Sequence, residues 1–420
     1  MTLRRVGDQR AVRAAIVDAT LTDGARVDVL LEGEQILGVG PGAGAQAESR
    51  LDAAGGLLLP AYVDTHVHLD KVLIRDQLVE HDGTLQGAIG AIHAAKRAYD
   101  VEDVRWRARA VIESSVLTGT TRLRSHVDVD TFGGLVPLEG VLAAARDCAG
   151  IAEVQVIAFP QEGILRDRGA GDLMVAAMEN GAKVVGGMPH WETGEDDQRE
   201  HVRLCFEIAA RFDADVDMHV DETDDGSVRT LAMVVEETER RGWQGRVTVG
   251  HVCSLSAADD AYAGTVIAGC LRAGITVVSN PVTNLVIQGR ADRGLVRRGT
   301  TRVRELIAAG VPVAFGQDCV KDGFYPFGRG DMLEVALVSA HAAHLATVDE
   351  QHLALAAVTT VPAAAWRLGL TYGVKAGARA DLTLYAATSW PEVLRRQDPP
   401  RQVWFRGRPV ARTTVTRELL

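Results

Sequence analysis

Short apolar, β-branched runs recur through the middle of the chain, and each closes on a polar residue. The first ends in Val63-Asp-Thr-His66-Val-His68, and later runs span 122–126, 153–161, 182–190, 214–219, 246–251, 275–280 and 311–318. Runs this short and this rich in valine and isoleucine predict strands, buried on both faces where the apolar character is continuous. Their ends fall at Gln161, His190, His219, His251 and Asn280, about one strand-plus-helix unit apart. Between them lie helical patterns such as Gly171–Asn180, closed by Gly181 at the position of a helix C-cap. Eight strand-then-helix units predict an α/β protein with a parallel (β/α)8, TIM-like barrel, in which reactive groups collect at the carboxyl ends of the strands. An open doubly wound sheet is the alternative, but no glycine-rich fingerprint follows the first strand.

The chain ends follow another pattern. Residues 11–55 hold Ala14–Val17, Arg26–Leu31 and Gln35–Val39, separated by glycine-containing turns, and residues 375–420 hold Ala380–Tyr385 and Gln402–Val410. Neither set has enough strands for a stable sheet of its own, so the two ends are expected to combine into one small β-sandwich. The expected division is a sandwich module from residues 1–56 and 371–420, with the barrel, residues 57–370, inserted between them.

Composition narrows the function. A chain of 420 residues with 24% charged and 47% hydrophobic residues has the balance of an ordinary soluble globular protein. Its net charge of -11 and the lack of a basic cluster interleaved with aromatics argue against a nucleic-acid partner. No apolar stretch reaches the roughly 18 residues of a membrane span, and residues 1–10 lack the apolar core of a secretion signal. Cys148, Cys205, Cys253, Cys270 and Cys319 are scattered and odd in number, with no Cys-x-x-Cys pair, which suits reduced thiols in a cytoplasm. Oligomeric state stays open, a homo-oligomer included.

The pair His66 and His68 carries the first chemical signal. Positions i and i+2 of a strand point to one side, so both imidazoles can reach one ion. Alone the spacing is weak, but candidate partners end their own apolar runs downstream at His219, His251 and Asp318.

Together the motifs His66-Val-His68-Leu-Asp70, Ala158-Phe-Pro-Gln161-Glu-Gly-Ile164, His219-Val-Asp-Glu222-Thr-Asp-Asp225, His251, Ile287-Gln-Gly-Arg290 and Asp318 resemble the amidohydrolase superfamily. Within it they are similar to the bacterial cytosine deaminases, over nearly the whole chain. The resemblance implies one divalent ion per chain, zinc or iron, held by His66, His68, His219 and Asp318, with His251 beside the bound water. It also implies a hydrolytic deaminase of a free amino-heterocycle that releases ammonia.

That chemistry asks for these residue types. A divalent cation lowers the pKa of water from 15.7 to about 7, and imidazoles with a carboxylate suit zinc or ferrous iron. Asp318 can accept the water's proton, His251 can hydrogen-bond the hydroxide, and Glu222 can move a proton to the ring and then to the leaving ammonia. Glu222 read as a helix-start carboxylate and His251 as a hydrogen-bonded core histidine remain open at this point. Many members of that superfamily carry a lysine that bridges two metals near the end of the fourth strand; here Lys183 begins that strand, so the resemblance implies one metal rather than two. Gln161 offers a donor and an acceptor in one plane to the ureide edge of a pyrimidine, or is a capping glutamine. Phe159 and Phe324 are expected to wall the ring.

Three positions depart from the cytosine deaminase pattern in ways that bear on substrate. Cys319 follows Asp318 where those enzymes carry a second aspartate, and Phe324 stands near the place of their tryptophan. A thiol facing the C5 edge leaves room for a methyl group, so 5-methylcytosine is the expected substrate, unless Cys319 is a buried filler turned away. Lys71 also stands where those enzymes carry a small hydroxyl residue. Cytosine itself, creatinine, isoguanine or an aminotriazine are the alternatives within the class, and a non-catalytic scaffold the alternative outside it.

Overall fold

A computed structural model describes residues 13–78 and 85–419. The stretch 1–10, read above for a secretion signal, lies outside the described residues.

Eight parallel strands form the barrel: β6 (Tyr62–Val67), β7 (Thr120–Asp128), β8 (Glu153–Phe159), β9 (Val184–Gly187), β10 (Asp215–Val220), β11 (Val247–His251), β12 (Thr276–Ser279) and β13 (Val313–Phe315). They are hydrogen-bonded in sequence order from β6 to β13, numbered here as they follow five strands of the N-terminal segment. The ring closes where Val67 bridges Asp318, with Asp318 N donating to His66 O at 2.6 Å and His68 N donating to Asp318 O at 3.1 Å. The seam of the barrel therefore runs through three of the residues singled out for chemistry. β6, β7, β9, β11 and β13 are buried along their whole length, as expected of strands covered on both faces. Helices separate the strands, and local signals start several of them: Asp100 accepts from Glu102 N and Asp103 N before Val101–Leu117, and Thr347 with Glu350 forms a capping box before Val348–Val358.

The barrel unit runs from Tyr62 to Arg367. The other compact unit combines the N-terminal segment up to Ala61 with residues from Leu368 onward. It holds β1 (Arg13–Thr20), β2 (Arg26–Glu32), β3 (Gln35–Gly40) and β4 (Ser49–Asp52) in one sheet, order β3-β2-β1-β4. A second sheet takes β5 (Leu58–Pro60), β14 (Leu382–Leu384), β15 (Gln402–Phe405) and β16 (Arg408–Arg412) in the order β16-β15-β14-β5. Ile16, Val29 and Leu31 from the first sheet share one apolar core with Leu58, Leu382 and Trp404 from the second, which makes the unit a sandwich. The run 58–68 does not form one barrel strand: Leu58–Pro60 pairs antiparallel with β14, and the barrel begins after Ala61. β9 likewise ends at Gly187, with His190 beyond it in a short 3-10 turn, Pro189–Trp191.

Candidate metal-dependent active site

His66 sits near the end of β6 and His68 just past it, His219 lies in β10, His251 closes β11, and Asp318 follows β13. The barrel curvature turns these separate strand ends toward one point. His219 Nε2 lies 3.2 Å from His66 Nε2 and 3.1 Å from His68 Nε2. Asp318 Oδ1 is 3.7 Å from His66 Nε2 and 3.3 Å from His68 Nε2. Ligand atoms of His66, His219, His251 and Asp318 all fall within 4.8 Å of one another.

Burial and the neighbouring imidazoles hold His66 and His219 well below the ordinary histidine range. Burial also lowers His68, as does the charge of Lys71. The rings are therefore neutral at pH 7. Neutral Nε2 atoms at these distances would set lone pair against lone pair unless a proton or a cation lies between them. The observed separations also match a tetrahedron of 2.0–2.1 Å bonds, whose edges are roughly 3.3 Å. The donor set fits one divalent ion. Asp318 stays anionic: burial raises its pKa, but hydrogen bonding to His68 and Thr283 and its electrostatic interaction with the neighbouring imidazoles outweigh that and hold it below the usual carboxylate value.

The backbone here is unusual. Asp318 (φ 63°) and His251 (φ 69°) lie in the left-handed region, which non-glycine residues adopt at a cost. For Asp318 the two hydrogen bonds of the barrel seam over-determine that conformation and aim the carboxylate inward.

A cavity of about 310 Å³ opens over this cluster at the carboxyl ends of the strands. His68, His219, Glu222 and Asp318 line it together with Gln161, Cys319 and Phe324. Glu222 Oε1 accepts from Asn284 Nδ2 at 2.9 Å and lies 3.3 Å from His251 Nδ1, while Asn284 Oδ1 is 3.1 Å from the same nitrogen. Burial raises the Glu222 pKa, with the charge of His251 opposing it and that of Asp318 adding to it. The carboxyl is thereby prepared to hold a proton at higher pH than an exposed glutamate. Cys319 Sγ lies 3.7 Å from Asp318 Oδ1, and burial, with Asp318 and Asp322 nearby, pushes the thiol well up, so it is neutral. All five cysteines are free and buried.

Phe159 requires a correction. It does not line the cavity but is fully buried behind the cluster, stacked on His219 at a centroid distance of 4.2 Å and 24°. Pro160 redirects the chain after Phe159, so Gln161 reaches the cavity and Phe159 does not. Residues not anticipated from sequence also contribute. Trp191, Met188 and Ile287 supply apolar wall, Asn284 ties Glu222 to His251, and Asp128 meets Lys71 Nζ at 2.6 Å. Nothing in the local sequence marks Asn284, whose role arises from the short helix Pro281–Ile287, which follows β12 and sets its amide beside Glu222 and His251.

Residues 106–411 match the model of the amidohydrolase family. This chain belongs to that family. Like other amidohydrolases it is a hydrolase acting on C–N bonds, and the family is metal-dependent. Among curated relatives, the chain is 32% identical over 395 residues to a pterin deaminase of Rhizobium rhizogenes, covering 92% of this chain and 88% of that one. Among solved structures it is similar to 5-methylcytosine deaminase from Klebsiella pneumoniae liganded with 5-fluorocytosine, with 33% identity, a TM-score of 0.92 and coverage of 97% and 99%. It is also similar to N-isopropylammelide isopropylaminohydrolase from Burkholderia multivorans, with 30% identity, a TM-score of 0.84 and coverage of 96% and 98%. No helix among the described residues is long and apolar enough to cross a membrane.

Proposed function

We propose that this amidohydrolase is a hydrolytic deaminase of a free amino-heterocycle, with a 5-substituted cytosine such as 5-methylcytosine as its substrate. The observation that carries the reading is Glu222, a partly buried carboxyl on the cavity wall, hydrogen-bonded by Asn284 and beside His251, in the same cavity as His68, His219 and Asp318. His66, His68, His219 and Asp318 would hold one divalent ion, zinc or ferrous iron. When bound, such an ion supplies water acidic enough to serve as a nucleophile near neutral pH.

The chain's own groups do the rest. Asp318 accepts the proton of the attacking water, and His251 offers a hydrogen bond to the oxygen that adds to the amino-bearing carbon. Glu222 delivers a proton to the ring nitrogen next to that carbon. It then takes up the proton held by Asp318 and carries it to the amine as the C–N bond breaks, and recovers a proton from the added hydroxyl as the ring carbonyl forms. The products are ammonia and a ring carbonyl, so that one water is consumed and protons balance. Gln161 and Phe324 line the same cavity and would orient the ring. Cys319 supports the 5-substituent: a neutral thiol beside Asp318 leaves space that a carboxylate would fill and charge.

A second reading, a bicyclic amino-heterocycle such as a pterin, is favoured by the pterin deaminase relative and by a cavity of about 310 Å³, more than one pyrimidine ring needs. The test is ammonia release by metal-loaded protein from 5-methylcytosine, cytosine, pterin, isoguanine, creatinine and an aminotriazine. Turnover of 5-methylcytosine well above cytosine is expected. Release from pterin alone would replace the first reading by the second, and release from none would overturn both.

A further inference from the structure

Beside the cavity lies a buried group of charges that the proposed reaction does not use. Lys71 and Lys96 are both fully buried, and they share one carboxylate: Lys71 Nζ is 2.6 Å from Asp128 Oδ1 and Lys96 Nζ 2.6 Å from Asp128 Oδ2. Lys96 also reaches Asp130 at 2.7 Å and Glu162 at 3.2 Å. Burial works against both ammonium ions, but the surrounding carboxylates outweigh it and raise both pKa values, so both lysines are charged. Removing either partner from such a group would strand an uncompensated charge, and so the arrangement is held firmly.

Two members lead to the cavity: Glu162 lines it directly, and Lys71 reaches it through Gln161. Lys71 Nζ donates to Gln161 Oε1 at 2.5 Å, whereas Lys71 itself does not line the cavity. An ammonium ion has donors only, so it can take the oxygen end of the amide and not the nitrogen end. A glutamine side chain left to itself offers either end. We infer that Lys71, clamped by Asp128, is a positioning residue that locks the Gln161 amide with its NH2 toward the ligand, so that the site selects rings presenting a carbonyl oxygen at that edge. A ring presenting an amino group there meets donor against donor, and the buried ammonium prevents the amide from flipping to accommodate it.

This rests on the proposed deaminase reading and names the edge of the substrate by which it is chosen. The test compares binding of 5-methylcytosine with that of 2,4-diamino-5-methylpyrimidine, which carries an amino group in place of the carbonyl, to metal-loaded wild type, Lys71→Met, Gln161→Leu and the double variant. Wild type should favour the carbonyl ring, and Lys71→Met should shrink that preference by about tenfold, with kcat for 5-methylcytosine changed much less than KM. In the Gln161→Leu background Lys71→Met should alter the ratio by less than about twofold, because contacts acting through one group are non-additive. If Lys71→Met does not fold or load metal, Asp128→Asn, which withdraws the clamp, carries the same cycle. An unchanged preference, or an equal effect of Lys71→Met with and without Gln161, would overturn the role of Lys71 and leave the substrate reading standing. Wild-type protein that binds neither ring would remove both.

Discussion

The imidazole of His66 occupies the space that a side chain at position 250 would need: a Cβ added to Gly250 would stand 2.6 Å from its Cε1 and 2.8 Å from its Nδ1. Gly316 leaves room on another side, where an added Cβ would come within 2.7 Å of His66 Cβ and 2.5 Å of Asn280 Oδ1. His66 is thus packed against two bare backbones, and no side chain or backbone group among the described residues hydrogen-bonds its Nδ1. Gly250→Ala should force that ring aside and lower metal affinity by about 10–100-fold, the size typical of changes behind a ligand. Elemental analysis after dialysis against a weak chelator reads it. Wild type should retain about one ion per chain, and a variant that holds metal equally well would remove this role for Gly250.

Glu222→Gln should keep the hydrogen bond from Asn284 and the fold while losing the proton-carrying group. Turnover should fall by about 10²–10⁴-fold with metal content unchanged, the range usual for a positioned acid–base group. A loss under about tenfold would assign the proton transfers to another residue.

Cys319→Asp should add a carboxylate beside Asp318, narrow the cavity and shift preference from 5-methylcytosine toward cytosine. A methyl in a fitted site is worth roughly 1–3 kcal/mol, so the ratio of kcat/KM values should move by about one to two orders of magnitude. The measurement needs folded, metal-loaded variant. An unmoved ratio would mean that Cys319 does not meet the C5 edge, while deamination itself would stand.

Asp221 joins His219 to Glu222 and caps the helix Thr230–Arg241, accepting from Thr230 N at 2.9 Å, Thr230 Oγ1 at 2.6 Å and Leu231 N at 3.1 Å. Burial pushes its pKa from 3.8 up to about 6, against the pull of those donors. A carboxyl whose folded-state pKa is raised takes its proton more readily in the folded chain. Its stabilising contribution is full below the unfolded value and is lost as pH rises through about 6. A shift of roughly two units corresponds to about 3 kcal/mol at 1.36 kcal/mol per unit. Asp221→Asn cannot ionise, so the stability of wild type relative to this variant should decline by up to that amount between about pH 4 and pH 7. Denaturant unfolding at several pH values reads the difference, and a flat difference would contradict the expected shift.

How much of this was legible beforehand depends on the range of the interactions involved. The apolar runs and their polar ends are local patterns, so the eight strands, the barrel and the side of it that carries chemistry followed from the sequence. The alternation of His66 and His68 is equally local. The strand break at Ala61 was not legible, because an unbroken apolar run suits one strand or two, and β5 pairs with residues more than 300 positions away. Phe159 and Gln161 share a side by strand alternation, but only if the strand continues past Phe159, and Pro160 ends it.

The chain by itself determined its fold class, the residue types able to bind a cation and the segments bearing them, since these rest on periodicity and on ligand chemistry. Only the tertiary structure decided that His66 needs Gly250 and Gly316, that Asn284 links Glu222 to His251, and that Lys71, Asp128 and Gln161 form one buried line into the cavity. A lysine in a sequence is expected at the surface, and a glycine carries no sign of what will pack against it. Both acquire their meaning when segments distant along the chain close into the barrel.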